Sequence, residues 1–399
     1  MSEWKKIRLG EICSRVTSGG TPASNKAEYY GGNIPWLRTQ EVNANCIEDT
    51  EIKITEEGLA NSAAKWIPKN AVIVAMYGNS AGRVATTAIP LTTNQACCNL
   101  IVDSELADYK FVYYSLLKDY SVLHDLSRGA AQKNLNAQQI KDYIISLPPR
   151  PIQDRIAGIL SDYDSAIVNC RKQIALLEEA AMRLYREWFK DGKGEKKRIG
   201  DFVECTIAGS WGTGEVSPKC PNKVICIRGA DFEDIGQRGL GKKIIRYVSD
   251  KHMAERSLNE GDMIIEMSGG SPTQATGRNV LMTGQLIQRF GLPVLCTNFC
   301  KLIRPQKGYS SYLYLAWKDL YASKVMFNYE VGTTGIKNFD YELFAHDVFI
   351  TDPGKKIDAF NQVVSPMFDM IDACGTTIAN CAEARDRLLP KLMKGEIAV

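Results

Sequence analysis

The chain has 399 residues, of which 45% are hydrophobic and 24% are charged, and its formal net charge is +3 at pH 7. This length predicts two or three domains, and a charge so close to neutral neither requires nor excludes a nucleic-acid partner. No run of about 18 apolar residues occurs, which excludes a membrane-spanning helix, and the polar start of the chain predicts a cytoplasmic protein. The 12 cysteines lack the paired short spacings of a zinc site, so we expect no bound metal.

The sequence contains an internal repeat, because short motifs from its first half return in the same order in its second half. Duplication of this kind predicts a pseudo-two-fold arrangement, which suits a partner with two related half-sites, such as duplex DNA. The corresponding motifs are Arg8-Leu9-Gly10-Glu11 and Arg198-Ile199-Gly200-Asp201, Thr93-Asn94 and Thr297-Asn298, and Gly129 with Lys133-Asn134 and Gly332 with Lys337-Asn338.

Residues 1–150 are predicted to form a globular domain of short strands, loops and a few helices. Runs rich in β-branched residues predict strands at 71–75 and 99–102. The first of these strands leads into a loop of small residues, Tyr77–Arg83, that ends in Gly-Arg. Glycine permits close backbone approach, arginine offers a bidentate fork for guanine or phosphate, and the amide of Asn79 is of the type that reads adenine.

A second loop, Gly129–Asn134, combines a glycine, small residues and the Lys133-Asn134 pair. This composition suits phosphate contact through backbone N–H groups and the lysine. Each loop taken alone is also consistent with a surface turn whose charges are solvated or paired in salt bridges. The return of both loop types in the second half favours a duplicated binding function, although a duplicated fold would repeat them as well.

Residues 151–192 are predicted to form a long helix. Pro149 and Pro151 mark its start, since proline suits the first turn of a helix. Apolar residues recur from residue 156 to residue 188 at alternating steps of four and three, which is the 3.5-residue repeat of a coiled-coil seam. The seam residues are Ile156, Leu160, Tyr163, Ile167, Ile174, Leu177 and Leu184.

Residues 193–352 are predicted to form a second domain of the same kind, with strands at 224–227 and 263–266. The segment Ser268–Arg278 repeats the first loop type, and Gly332–Asn338 repeats the second. Arginines and amides are expected at base edges, and the lysines at phosphates. The candidate DNA-binding residues of both halves are Arg38, Gln40, Tyr77, Asn79, Ser80, Arg83, Asn94, Lys133, Asn134, Arg228, Ser268, Gln274, Arg278, Asn298, Lys337 and Asn338.

Residues 353–399 repeat the helical pattern, with Arg385 interrupting the apolar stripe at a position where it is expected to snorkel or to pair across the seam. Neither seam can be buried alone, so we expect the two helices to form an antiparallel coiled coil. The predicted fold is therefore α+β, with two mixed α/β domains separated by two long helices. The second set of seam residues is Phe360, Val364, Met367, Ile371, Ile378 and Leu388.

Several of these motifs resemble the target recognition domains and the chain end of specificity subunits from type I restriction–modification systems. The resemblance covers the whole chain, in the order recognition domain, helix, recognition domain, helix. The second domain departs from the pattern, because it has Ile225–Ala230 where the first has the Ile-Pro-Trp segment. The similar segments are 20–22, 29–32, 34–42, 261–266, 268–272, 277–278 and 387–397.

The resemblance implies a non-catalytic DNA-binding subunit whose two recognition domains each read one half of a bipartite, asymmetric sequence. It further implies that the helices pack antiparallel, set the unspecified spacer and bind two methyltransferase subunits, which use S-adenosylmethionine to methylate adenine. Restriction subunits would join this complex and cleave DNA with ATP. No cofactor is expected on this chain itself.

Two other functions remain open at this point. A protein-only coiled-coil adaptor would explain the helices but not the paired loops. A self-contained DNA methyltransferase would need a glycine-rich cofactor loop and an Asn/Asp-Pro-Pro-aromatic tetrapeptide. The Pro148-Pro149 pair lies between Leu147 and Arg150, and neither a G-x-G-x-x-G nor a P-loop motif occurs, so we do not expect an enzyme.

Overall fold

The computed structural model describes residues 4–128, 134–190, 194–271, 273–332 and 336–399. Two units can be distinguished, one made of residues 1–165 with 382–399 and the other of residues 166–381. Each unit therefore contains one of the two globular halves and one stretch of each long helix. Among the helices of the described residues, none is both long and apolar enough to cross a membrane.

The first unit is built on a five-stranded sheet in the order β2-β9-β6-β7-β4. The predicted strands at 71–75 and 99–102 are confirmed as parts of β6 and β9, and all four residues of β6 are buried. The strands are β1 (Lys5–Arg8), β2 (Cys13–Ser18), β3 (Tyr30–Leu37), β4 (Asn45–Ile47), β5 (Lys53–Ile54), β6 (Val72–Ala75), β7 (Val84–Thr87), β8 (Thr92–Thr93), β9 (Cys97–Val102) and β10 (Ile144–Leu147).

Two smaller sheets and a helical layer complete the first unit. Strand β3 pairs antiparallel with β5 and parallel with β8, and β1 pairs with β10. The sheet residues Val74 and Leu100 share a buried core with Phe111 and Leu116. The carboxylate of Asp108 caps the helix that carries Phe111 and Leu116, accepting a hydrogen bond from the Phe111 amide at 2.8 Å. The short helices are α1 (Glu56–Ala60), α2 (Tyr109–Lys118), α3 (Tyr120–Arg128) and α4 (Ala137–Lys141).

The second unit repeats these pairings. Its main sheet has the order β12-β19-β15-β17, its smaller sheet the order β14-β13-β18, and β11 pairs with β22. The predicted strands at 224–227 and 263–266 are confirmed in β13 and β15. The strands are β11 (Lys196–Arg198), β12 (Val203–Ala208), β13 (Asn222–Ile227), β14 (Ile245–Val248), β15 (Met263–Glu266), β16 (Ser268–Gly269), β17 (Asn279–Leu281), β18 (Val294–Cys296), β19 (Cys300–Pro305), β20 (Glu330–Val331), β21 (Lys337–Phe339) and β22 (Phe349–Thr351).

The internal repeat extends to the direction of the paired strands and to the positions of their register shifts. In the second unit β13 is antiparallel to β14 and parallel to β18, as β3 is to β5 and β8. The first strand of each main sheet carries a register shift near its start, between Cys13 and Arg15 and between Val203 and Cys205. The short helices of this unit are α6 (Phe232–Gly236), α7 (Asp250–Arg256), α8 (Gly284–Phe290), α9 (Ser310–Ala322) and α10 (Tyr341–Asp347).

The repeated threonine of the Thr-Asn motif lies against a glycine in both units. A Cβ atom on Gly19 would lie 2.0 Å from the carbonyl oxygen of Thr93, and one on Gly209 would lie 1.8 Å from that of Thr297. Only glycine permits this backbone approach. This part of the sequence repeat therefore reflects a duplicated packing requirement.

The two long helices are α5 (Arg150–Tyr185), which continues as a π-helical turn at Arg186–Lys190, and α11 (Lys356–Met393). Within the first unit, Leu160 near the start of α5 shares a core with Leu392 near the end of α11. Within the second unit, Phe189 at the end of the α5 segment packs on Phe360 at the start of α11, with ring centroids 5.0 Å apart. The predicted antiparallel pairing is thereby confirmed.

The predicted seam residues are all buried or half-buried, but at some positions of the seam a neighbouring residue is buried more deeply. Tyr185 is buried more deeply than Leu184, and Phe368 more deeply than Met367. An α-helix drifts by about 20° per heptad relative to a 3.5-residue repeat. In the second unit α9 covers the rotated face, since the ring of Tyr314 lies 5.8 Å from that of Phe368.

The predicted pairing of Arg385 across the seam is confirmed within the first unit. Its Nη1 atom donates to Oδ1 of Asp164 on α5 at 2.6 Å. The hydroxyl of Tyr114 on α2 donates to the other oxygen of the same carboxylate, also at 2.6 Å. One carboxylate thus joins both long helices and the globular part of this unit.

Candidate nucleic-acid interface

Four segments that are distant in sequence converge in the first unit. The amide of Asn94 donates to the carbonyl of Leu37 at 3.0 Å, and the amide of Met76 donates to the carbonyl of Ala96 at 2.8 Å. The carbonyl of Met76 accepts from the amide of Leu135 at 2.8 Å. We call the resulting surface the first junction, and its segments are 37–41, 76–83, 93–97 and 134–135.

The second unit brings the corresponding segments together through comparable hydrogen bonds. The amide of Thr297 donates to Ile227 at 2.9 Å, and the amide of Met267 donates to Phe299 at 2.8 Å. The carbonyl of Met267 accepts from the amide of Phe339 at 2.8 Å. We call this surface the second junction, and its described segments are 227–231, 267–271, 273–278, 297–300, 330–331 and 336–339.

The first predicted loop type ends in the same turn in both junctions. Gly82 and Gly277 both have positive φ angles, +86° and +82°, which glycine adopts without strain. The amide of Gly82 donates to Ala75 at 2.9 Å, and that of Gly277 donates to Glu266 at 3.0 Å. The repeated Gly-Arg motif therefore marks a turn that returns the chain to its own strand, and Ala75 corresponds in position to Glu266.

The two predicted loop types adjoin each other in both junctions, a proximity that sequence reasoning did not predict. In the first junction, Tyr77 forms an antiparallel bridge with Asn134. In the second junction, β16 pairs with β21, so that Ser268 faces Asn338, and the Ser268 hydroxyl donates to the Asn338 side-chain oxygen at 2.5 Å. The predicted Gly129 and Lys133 of the first half lie outside the described residues.

The first junction presents polar side chains to solvent, with one arginine unpaired. Arg38 is held by Glu51, whose carboxylate lies 2.7 Å from its Nη2 atom. The side chain of Arg83 is half-buried and forms no hydrogen bond or ion pair with any described residue. The side-chain oxygen of Asn94 is buried without a hydrogen-bond partner among the described residues. Of the other predicted residues here, Gln40, Tyr77 and Asn79 are exposed, and Ser80 and Asn134 are half-buried.

In the second junction the predicted arginines are held by buried carboxylates. Arg278 donates to both oxygens of Glu266, from Nε at 2.8 Å and from Nη2 at 2.6 Å. Arg228 donates in the same two-pronged manner to Asp231, at 3.0 and 2.8 Å. Burial alone would raise the pKa of Asp231, but hydrogen bonds from the Arg228 side chain and from backbone amides outweigh it, so the pKa is lowered.

Lys337, the predicted phosphate ligand, is also paired. Its Nζ atom lies 2.6 Å from Oε2 of Glu330 on the neighbouring strand β20. Glu330 accepts two further hydrogen bonds from Thr276, through the backbone amide at 2.7 Å and the hydroxyl at 3.1 Å. Burial raises the pKa of Glu330, but these hydrogen bonds and the lysine charge lower it more. Glu330 therefore ties the first loop type to the second.

The uncharged candidates of the second junction are accessible. Gln274, Asn298 and Asn338 are exposed. The sequence reasoning overlooked two exposed apolar side chains in the same place, Phe299 and Val331. Phe299 could have been noticed, because it is an aromatic residue directly after the repeated Thr-Asn motif.

The described residues contain no group of three or more His, Cys, Asp or Glu side chains that could hold a metal ion. Both junctions carry amide, hydroxyl, aromatic and guanidinium groups on hydrogen-bonded loops. Such groups contact base edges and phosphates.

Comparison with known proteins shows which family the chain resembles. Residues 1–179 match the family model described as the type I restriction modification DNA specificity domain. The full chain aligns with the specificity subunit of the type I restriction enzyme MjaIX from Methanocaldococcus jannaschii, with 26% identity over 100% of this chain and 94% of the relative. Over its whole length the chain is similar to a type I restriction–modification specificity subunit, and its first half matches the family model. The DNA-recognition role predicted from the sequence is thereby confirmed, and the adaptor and methyltransferase alternatives gain no support.

A second relative and a solved structure are also similar to the chain. The EcoR124I/EcoR124II specificity subunit from Escherichia coli is 26% identical over 47% of each chain. The crystal structure of a type I restriction–modification S subunit from M. genitalium has a TM-score of 0.59, with 15% identity, over 98% of this chain and 96% of that chain. The predicted fold class, two mixed α/β domains with two long helices, is thereby confirmed.

Proposed function

We propose that this specificity subunit reads a bipartite, asymmetric DNA sequence, with one junction for each half-site. The observation that supports this proposal is the convergence of the same four kinds of segment in each unit. The backbones correspond, but the accessible side chains differ, with Asn79 and Arg83 in one junction and Phe299 and Asn338 in the other. Because base edges are read by side chains, the two half-sites differ in sequence.

We assign recognition domains to residues 1–150 and 193–352, and helical regions to 151–192 and 353–399. The helical regions set the number of unspecified base pairs between the half-sites and hold two methyltransferase subunits. Exposed apolar side chains on the long helices support this docking role, since Leu176 and Met370 are 64% and 56% exposed. The methyltransferase subunits use S-adenosylmethionine, restriction subunits use ATP, and the complex acts in the cytoplasm.

In the first junction, Gln40, Asn79 and Arg83 contact base edges, and the Lys133 segment contacts phosphates. Arg83 is the strongest candidate for guanine, because its guanidinium is not already paired with a carboxylate. The loss of one bidentate base contact costs about 1–3 kcal/mol and affects one position of one half-site.

The test is to produce the full chain with methyltransferase subunits and to map methylated sequences genome-wide. For Arg83→Ala we expect relaxed recognition in one half-site, with the other half-site and the spacer unchanged. The matched control is Lys69→Ala, which removes an exposed cation at the opposite end of β6. Equal weakening on all sequences would disprove base reading by Arg83, and methylation without any bipartite pattern would disprove the proposed function.

A further inference from the structure

The cationic side chains of the second junction are all engaged in ion pairs. Within its described segments these cations are Arg228, Arg278 and Lys337, and their carboxylate partners are no more than 7% exposed. Guanine offers two acceptors in the major groove, and a free arginine or lysine is the side chain that matches them best. Releasing one of these cations to a base would leave a buried carboxylate without its partner, which is costly.

Uncharged side chains occupy the accessible part of the same surface. Val331 and Ser268 pair with Asn338 from opposite sides, so the three side chains form one row on one face of the small sheet β16-β21-β20. Phe299 lies beside this row, because its carbonyl accepts from the amide of Ser268 at 3.3 Å. Phe299 is 57% exposed and Val331 is 58% exposed.

The Ser268 hydroxyl also orients the amide of Asn338. Because it donates to the side-chain oxygen, the amide nitrogen of Asn338 is left to donate outward, and the oxygen retains a second lone pair. Adenine presents an acceptor at N7 and a donor at N6, which an asparagine amide matches with two hydrogen bonds. Thymine presents a 5-methyl group, which apolar side chains contact.

We propose that the second junction reads an A·T base pair in the major groove, with Asn338 on adenine and Phe299 on the thymine methyl group. Arg228, Arg278 and Lys337 hold the loops that present these side chains. This inference rests on the proposed function, because it assigns base chemistry to one of the two half-sites.

The first test removes the methyl group from the DNA. The target sequence is first mapped by methylation, and duplexes are then made with deoxyuridine in place of each thymine of one half-site at a time. We expect the complex of the full chain with methyltransferase subunits to bind one substituted half-site about fourfold more weakly, as expected for loss of one buried methyl group. Phe299→Ala should bind substituted and unsubstituted duplexes equally well. Val216→Ala, which truncates a 63% exposed apolar side chain elsewhere in the unit, should retain the fourfold difference.

The second test addresses adenine. Asn338→Ala should weaken binding at least about fivefold, and 7-deazaadenine at the contacted position should weaken the original chain but not the variant. The slope of log affinity against log salt should stay the same, whereas loss of a phosphate contact would reduce it by about one.

The outcomes separate this inference from the proposed function. Three results would overturn the A·T assignment alone. The first is a second half-site made only of G·C pairs, and the second is that Phe299→Ala and the unmodified chain are equally sensitive to deoxyuridine. The third is a reduced salt slope for Asn338→Ala. Absence of any bipartite target would instead refute the proposed function.

Discussion

The two junctions share a Gly-Arg turn but use its arginine differently. Arg83 and Arg278 both follow a glycine with positive φ and both return to the preceding strand. At the position facing this arginine, the first unit has Ala75 and the second has Glu266, which binds Arg278 through both carboxylate oxygens. A single residue on the neighbouring strand therefore decides whether a repeated arginine is available to a ligand or stabilises its own loop.

The units also differ in the burial of the carboxylate through which the globular part contacts the long helices. In the first, Asp164 accepts a hydrogen bond from Tyr114 of the globular part and pairs with Arg385 of α11, and the side chains of this ion pair are 29% and 19% exposed. The second uses Arg238 and Asp372, which are 1% and 3% exposed and 2.8 Å apart. Burial raises the pKa of Asp372 even though the Arg238 charge opposes this shift. The helix carboxylate that contacts the globular part is thus half-buried in the first unit and fully buried in the second.

The largest effect is expected when the carboxylate of the fully buried pair is removed. Asp372→Ala leaves the buried guanidinium of Arg238 without a partner, so we expect the second unit to lose about 3–5 kcal/mol of unfolding free energy. Arg385→Ala should cost the first unit about 1.5 kcal/mol, because Asp164 can reach water and keeps its bond from Tyr114. Hydrogen exchange measured on peptides from each unit reports both losses, and equal losses would contradict the comparison.

A smaller effect is expected when the second junction is made to resemble the first. Glu266→Ala copies the Ala75 arrangement, so we expect a loss of about 1.5–3 kcal/mol in the second unit and an unpaired Arg278. Methylation mapping should then show guanine accepted at one position of one half-site. Glu260→Ala, a change in the same unit but outside the junction, is the control. Unchanged specificity would show that Arg278 cannot reach a base even when it is unpaired.

The smallest effect concerns pH. The folded-state pKa of Glu330 is lowered, so its contribution to stability is present above the ordinary glutamate pKa of about 4.3 and is lost as the pH falls below it. We expect hydrogen exchange, corrected for intrinsic rates, to accelerate in 273–278 and 337–339 over this range. Glu330→Gln should abolish the pH dependence, and the bridge between Tyr77 and Asn134 in the other unit serves as the reference. Equal acceleration at both sites would argue for general acid unfolding.

Local patterns in the sequence were sufficient to predict the long helices, several strands and the internal repeat. The heptad positions from Ile156 to Leu184 predict a seam because their spacing alone places them on one helix face. The Gly-Arg and Thr-Asn motifs could be matched between halves for the same reason, since each is contiguous. The candidate DNA ligands were selected by residue type within such motifs, and this explains why Arg83 and Arg278 were treated alike.

Contacts between residues distant in sequence decided which side chains are paired and which are exposed. Glu266, Glu330 and Phe299 gain their importance from segments brought together by strand pairing, and no spacing rule in a single sequence reveals which carboxylate will face which cation. Asp372 occupies a polar position beside the seam, yet it is buried because Arg238 arrives from another part of the chain. The sequence by itself therefore determined the periodic elements and the duplication, whereas tertiary packing decided which of the repeated side chains are held and which are exposed, because burial and pairing depend on neighbours distant along the chain.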